Sequence, residues 1–307
     1  MKNTLDISIV IGTHNRQDMI LDCLRSLENQ NYPSELFEIL VIDNASTDLT
    51  KKFVLTHLKK SKVKIRYIFE PKLGHSMTRN RGIQESEGNL TAFLDDDARA
   101  ERNWLHEISS SFKKSSTVMA VGGKIIPQTT VPIPDWIPEH VLPLLTFVDY
   151  GETEKQIHPP QTPVGTNMAF RKVVFEEIGL FNTNLGRKGT RLLSGEENDF
   201  FLRMKEKNLC VWYNPNAIVY HALDSQRFTK KYIRSRVFWE GVTWSKLIAL
   251  HERHVHLSED LRYSTLPLLK QLLSITSDYI KGDTKQGFLT ETEFLYAFGK
   301  FVGRFLT

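Results

Sequence analysis

Cysteine is nearly absent from this 307-residue chain, with only Cys23 and Cys210 present, too few for a disulfide framework. Both lie in stretches that read as buried elements, so reduced thiols are the expectation. Long apolar runs are missing as well. No stretch approaches the ~18 residues that a spanning helix needs, and Met1-Lys2-Asn3-Thr4-Leu5-Asp6 lacks the apolar core of an export signal. The expected location is therefore cytoplasmic, neither exported nor integral to a membrane. Strong charge of one sign is missing too, since 40 Lys+Arg against 36 Asp+Glu leave a net +4. That mild basic excess suits phosphate-bearing partners, whereas a nucleic-acid binder would be more basic, and no nucleic-acid partner is expected. Neither Gly-x-Gly-x-x-Gly nor Gly-x-x-x-x-Gly-Lys-[Ser/Thr] follows the first apolar run, which argues against a dinucleotide fold and a P-loop. There is no internal repeat and no low-complexity tract.

What remains is an ordinary globular composition, 40% hydrophobic and 25% charged, at a length that fits one large domain with an appendage. Up to about Gly123, short β-branched runs alternate with segments of helical period, the pattern of βαβ units on a parallel sheet. The spacing predicts strands at Ile7–Ile11, Phe37–Asp43, Val63–Glu70, Leu90–Leu94 and Ala120–Ile126. These strands are nearly continuous in apolar residues, as when helices cover both faces of a sheet. Helices are predicted over Gln17–Asn29, from a Thr47-Asp48 cap to Leu58, and over His75–Glu85 and Asn103–Lys113. Dense prolines from Pro127 to Pro163 predict an irregular segment with at most one short helix, a candidate substrate-binding wall. Beyond it come a strand at Asn167–Arg171, helices at Lys172–Ile178 and Glu197–Lys207, and strands at Cys210–Tyr213 and Ala217–Tyr220. The last eighty or so residues read as mostly helical. Residues 228–250 mix Lys230, Lys231, Arg234, Arg236 and Lys246 with Phe228, Tyr232, Phe238, Trp239 and Trp244. Such a basic-aromatic helix either packs on the main domain or offers a peripheral membrane contact.

The sharpest chemical feature is Phe93-Leu94-Asp95-Asp96-Asp97, three carboxylates directly after an apolar strand. Alternation in an extended chain points Asp95 and Asp97 to one side, where both can share a hard divalent cation, Mn2+ or Mg2+. The bland alternative is a solvated acidic turn. Two further predicted strand ends carry polar groups, Gly12-Thr13-His14-Asn15-Arg16 and Asp43-Asn44-Ala45-Ser46-Thr47-Asp48, and ligands of open parallel sheets bind at that rim. Asp43 could bond a ribose or base, whereas Asp48 reads better as a helix start. A second acidic group, Gly195-Glu196-Glu197-Asn198-Asp199, opens a predicted helix. Such residues often serve only the helix dipole, yet a glutamate here could deprotonate an attacking hydroxyl. His221 closes the last strand, either as a structural residue or as a nitrogen ligand beside carboxylates.

Together these stretches resemble the family 2 glycosyltransferases of GT-A fold, from about Ile7 to His221. Ser8-Ile9-Val10-Ile11-Gly12-Thr13-His14-Asn15-Arg16 looks like the family's nucleotide-binding start and Val41-Ile42-Asp43-Asn44-Ala45-Ser46-Thr47-Asp48 like its second motif. Gly74-His75-Ser76-Met77-Thr78-Arg79-Asn80-Arg81-Gly82-Ile83 followed by Asp95-Asp96-Asp97 is similar to the approach to its Asp-x-Asp motif, and Gly165-Thr166-Asn167-Met168-Ala169-Phe170-Arg171 to its acceptor-side strand. The resemblance implies an α/β fold with a Rossmann-like, mostly parallel sheet flanked by helices and a helical C-terminal extension. It implies a catalytic domain over 1–224, divided into a nucleotide-binding half (1–123) and an acceptor-side half (124–224), and an extension over 225–307. Thr13, Asn15, Arg16, Asp43, Arg79, Asp95 and Asp96 would then hold the nucleotide. Asp97, His221 and Asp95 would hold the metal. The family's Glu-Asp base motif reads Glu196-Glu197 here, so Glu197 takes the place of the base and Glu196 is the fallback.

The implied activity is metal-dependent, hexosyltransferase-like inverting transfer from a nucleoside-diphosphate sugar, UDP-linked by expectation, in polysaccharide or glycoconjugate synthesis. The acceptor would be a saccharide or lipid-linked saccharide, in the cytoplasm or at the inner face of the membrane. The alternative is a non-catalytic nucleotide-sugar-binding protein of the same fold. A sugar-nucleotide pyrophosphorylase would want a glycine-rich, Lys/Arg-bearing loop after the first strand, which is missing.

Overall fold

A computed structural model describes residues 5–187, 191–251 and 272–306. The chain divides into two compact units, one of Met1–Gln128, Thr146–Asn184 and Glu196–Ala222, the other of Thr129–Leu145, Leu185–Gly195 and Leu223–Thr307.

The first unit is built on one nine-stranded sheet. Its first half comprises β1 (Ile7–Thr13), β2 (Phe37–Asp43), β3 (Lys64–Phe69) and β4 (Leu90–Phe93), all parallel, with β1 between β2 and β4. Along β1, Ile7, Ile9 and Ile11 enter one core cluster and Val10 the other, so both faces are buried as the apolar runs require. Helices α1 (Ile20–Glu28), α2 (Thr50–Leu58), α3 (His75–Glu85) and α4 (Trp104–Lys114) lie near their predicted positions. Helix α1 starts three residues late because Gln17 is engaged elsewhere: its amide donates to Asp48 and its side chain accepts from the Leu49 amide.

The remaining strands, β5 (Ala98–Ala100), β6 (Val118–Gln128), β7 (Lys155–Ile157), β8 (Met168–Arg171) and β9 (Cys210–Ala222), complete the order β3-β2-β1-β4-β8-β6-β9-β5, with β7 also on β9. Here the sequence pattern misleads in three ways. Strand β6 does not extend the parallel series; it runs antiparallel to β8 and parallel to β9. The two late strands are one 13-residue strand, because Pro215 falls where the β6–β9 ladder shifts register and no regular donor is needed there. Strand β3, predicted to be covered on both faces, is a half-exposed sheet edge, with Lys64 and Arg66 in ion pairs to Glu38 and Glu87. Helices α5 (Lys172–Ile178) and α6 (Glu196–Glu206) follow their predicted places. Cys23 is buried as expected, but Cys210 is only partly so, beside Gln156 on β7.

In the second unit, a 3-10 helix spans Glu139–Leu145, α7 spans Lys230–His251, residues 272–280 are helical, and a last helix spans Thr284–Gly303. Much of the basic character of α7 is used inside the unit: Lys230 lies over the Trp136 and Phe288 rings, Arg234 pairs with Glu291, and Arg236 with Glu240. Among the described residues no helix is long and apolar enough to cross a membrane.

Candidate active site

The acidic triplet owes its position to sheet register. Strand β4 ends at Phe93 opposite Val10, and the Leu94 amide still donates to the Val10 carbonyl, so Asp95-Asp96-Asp97 emerges beside the end of β1. The chain is then caught by β9, where Ala98 pairs with His221 and the Ala222 amide donates to the Asp97 carbonyl. His221 Nε2 consequently lies 3.1 Å from Asp97 Oδ1. Asp95, Asp97 and His221 each offer a ligand atom, all within 4.8 Å of one another. His221 is buried, and its Nδ1 has no hydrogen-bond partner among the described residues. Two carboxylates and an imidazole suit manganese or magnesium, so the residues present fit the expected cation.

Asp96 is placed differently. It is buried, and burial together with the Asp97 charge pushes its carboxyl up to about 7, against the opposing influence of Thr13 and Arg16. Arg16, itself 42% exposed, reaches Asp96 at 3.8 Å and Asp97 at 3.9 Å. Thr13 is buried at the end of β1 and Asp43 at the end of β2, directly paired in register. Asp43 already has partners of its own: Oδ1 accepts from the Ser46 amide at 2.8 Å and Oδ2 from the Tyr67 hydroxyl at 2.5 Å. Asn15, in left-handed backbone at φ 53°, accepts from the Thr47 amide and donates its own amide to Ser46, stapling the loops after β1 and β2. Asp48 caps the turn into α2, accepting from the Thr50 and Gln17 amides.

The second acidic group meets α3. Arg79 is buried, stacks over the Phe181 ring, and donates to Glu196 at 2.9 Å and Glu197 at 2.8 Å. Phe181 belongs to a ring cluster with Phe93, Phe170 and Phe200 that underlies this part of the site. One residue escaped the sequence reading as a site candidate: His75, whose Nδ1 lies 3.2 Å from Glu196 Oε1 while its Nε2 lies 3.9 Å from Asp95 Oδ1. Its ring thus spans the two carboxylate clusters. The available signal was its spacing, four residues before Arg79 and so on the same helical face.

The two glutamates differ in proton affinity. Burial pushes the Glu196 carboxyl up, but the His75 hydrogen bond and the Arg79 and His75 charges outweigh it and hold it down to about 2. Burial raises Glu197 above the ordinary value, with Arg79 opposing and Glu196 reinforcing. Because a depressed carboxyl stabilises the fold only while ionised, the Glu196 contribution is full above the ordinary carboxylate range and is lost as pH falls toward 2. The gap in unfolding temperature between the wild type and Glu196→Gln should therefore narrow from pH 5 to pH 2; a constant gap would contradict the ion-pair account.

Gly165 makes the arrangement possible. A Cβ there would lie 1.8 Å from an Arg79 nitrogen and 2.0 Å from Glu197 Oε1. Both atoms are far ends of long side chains, so Gly165→Ala should fold but displace them, lowering turnover by on the order of 10²-fold. Wild-type turnover in a folded Gly165→Ala variant would remove this pair from the mechanism.

Glycosyl transferase family 2 is the family whose model matches, over residues 8–179. The chain belongs to this family. The glucosyl-dolichyl phosphate glucuronosyltransferase of Haloferax volcanii is 27% identical over 241 residues, 77% of this chain and 75% of that protein. A dolichyl N-acetyl-alpha-D-glucosaminyl phosphate 3-beta-D-2,3-diacetamido-2,3-dideoxy-beta-D-glucuronosyltransferase of Methanococcus voltae is 25% identical over 244 residues, 75% of this chain and 70% of that one. Among solved structures, the mannosyltransferase PcManGT from Pyrobaculum calidifontis, in complex with GDP-Man and Mn2+, aligns with a TM-score of 0.66 at 16% identity over 97% of this chain and 86% of that one. TarS 1-349 of S. aureus, in complex with UDP, aligns at 0.56 and 15% identity over 99% and 92%. These likenesses show the GT-A fold, and the sheet described above is that of a family 2 glycosyltransferase.

Proposed function

We propose that this glycosyltransferase transfers a sugar from a nucleoside-diphosphate donor, UDP-linked in our reading, to an acceptor hydroxyl with inversion of the anomeric carbon. The observation that carries the proposal is that one unit places Asp95, Asp97 and His221 within 4.8 Å of one another while His75 joins Asp95 to the Glu196–Arg79–Glu197 group. A divalent cation bound by Asp97, His221 and Asp95 would neutralise charge developing on the departing diphosphate. Thr13, Arg16, Asp43 and Asp96 line the nucleotide side, with Asn15 holding the two loops around it.

Glu197 is the base in this reading. Its carboxyl is the more basic of the pair and 19% exposed, whereas Glu196 is 4% exposed and held by both Arg79 and His75. Arg79 fixes its position. Glu197 takes the hydroxyl proton as the acceptor oxygen bonds to the anomeric carbon and the bond to the diphosphate breaks on the opposite face. The dolichyl-phosphate sugars named for two relatives support a lipid-linked saccharide acceptor, met at the membrane surface. In that setting Lys231 of α7 and the exposed Leu250, Leu273, Ile280 and Phe305 are among the described groups available for a peripheral contact.

The test is a melting-temperature screen of UDP- and GDP-sugars with and without manganese, followed by assay for released nucleoside diphosphate. A ligand bound by the folded state raises the melting temperature. Manganese-dependent stabilisation with slow release is expected; stabilisation without release under any condition would favour a non-catalytic binder, and no stabilisation would contradict the proposal.

A further inference from the structure

We propose that Glu196 binds a hydroxyl of the transferred sugar, and that His75 is the positioning residue that fixes its carboxylate for that contact. This rests on the nucleotide-sugar reading above. Glu196 Oε2 is buried and has no hydrogen-bond partner among the described residues. Buried carboxylate oxygens are seldom left without a donor. The other oxygen, Oε1, is held twice, by Arg79 at 2.9 Å and by His75 Nδ1 at 3.2 Å, so the group is fixed in orientation while half of its accepting capacity is unused.

The chemistry of the missing partner follows. An ionised carboxylate can only accept, so His75 Nδ1 carries the hydrogen in that contact and the group that completes Oε2 must be a donor. A sugar presents several hydroxyl donors. The location also fits. His75 Nε2 lies 3.9 Å from Asp95 on the diphosphate side, and Arg79 ties Glu196 to Glu197 on the acceptor side. A residue between the diphosphate and the base borders the ring that passes from one to the other. The adjacent glutamates then divide the labour: Glu197 takes the proton and Glu196 holds the sugar.

The experiment is calorimetric titration, with manganese present, of UDP and GDP alone and of UDP-glucose, UDP-N-acetylglucosamine, UDP-glucuronic acid and GDP-mannose. Wild-type protein should bind at least one nucleotide sugar more tightly than the corresponding bare diphosphate. Glu196→Gln should lose that increment by roughly 10-fold to 100-fold, the scale of a hydrogen bond to a charged group, with bare diphosphate affinity unchanged. His75→Phe should lose it in the same direction, and His75→Gln, which keeps an N–H donor, should recover part of it. The His75 pair decides the matter if Glu196→Gln does not fold. A wild type in which no sugar adds affinity, or variants that keep the full increment, would overturn the proposal. Failure of both UDP and GDP to bind would instead overturn the nucleotide-sugar reading itself.

Discussion

Glu197→Gln is expected to lower turnover by roughly 10²–10⁴-fold, the usual worth of a positioned general base, while leaving manganese-dependent nucleotide binding intact. The substitution keeps the side chain's shape and its oxygen near Arg79 but removes the proton-accepting charge. A carboxyl held above its ordinary value by burial is a stronger base than a free glutamate. Loss should therefore appear in kcat with little change in donor KM. Single-turnover assays of the variant give the direct reading, and turnover at the wild-type rate would exclude Glu197 from the chemistry.

Asp97→Ala should weaken manganese binding by at least roughly 10–100-fold, since losing even a group that only orients a metal ligand costs that much. It should also weaken nucleotide binding only when manganese is present. The substitution removes the partner 3.1 Å from buried His221, so some destabilisation of the metal-free protein is expected as well. His221→Gln should reproduce the metal defect. Titration with manganese, followed by spin resonance of the free ion, separates the two effects; unchanged manganese affinity in both variants would remove this pair from the metal site.

Much of the candidate site was legible because its parts sit at strand ends. The apolar run Leu90–Leu94 followed by three carboxylates marked the rim, and the ends of β1 and β2 marked the same edge through Thr13 and Asp43. Glu196, Glu197 and His221 were legible as residues but not as neighbours, since their convergence depends on pairings the periodicity does not contain. Ala98 meets His221 only because the three-residue β5 pairs with β9, and a strand so short has no pattern of its own. His75 was hidden for a related reason: a single histidine in a first helical turn acquires meaning only when Glu196, 121 residues later, is laid against it. The antiparallel insertion of β8 between β4 and β6 was equally invisible, because a four-residue apolar strand reads the same in either direction. Asn15 and Asp43, ligand-like in the sequence, also have protein partners that shape the loops, contacts the sequence does not announce.

The central claim, that cation and base share one rim of the sheet, is tested most directly by anomalous diffraction from crystals grown with manganese and UDP. The account predicts one manganese peak at coordination distance from the Asp97 carboxylate and the His221 imidazole, with the Glu197 carboxylate facing the same cavity. A manganese peak away from both residues, with Asp97 and His221 still bonded to each other, would contradict it.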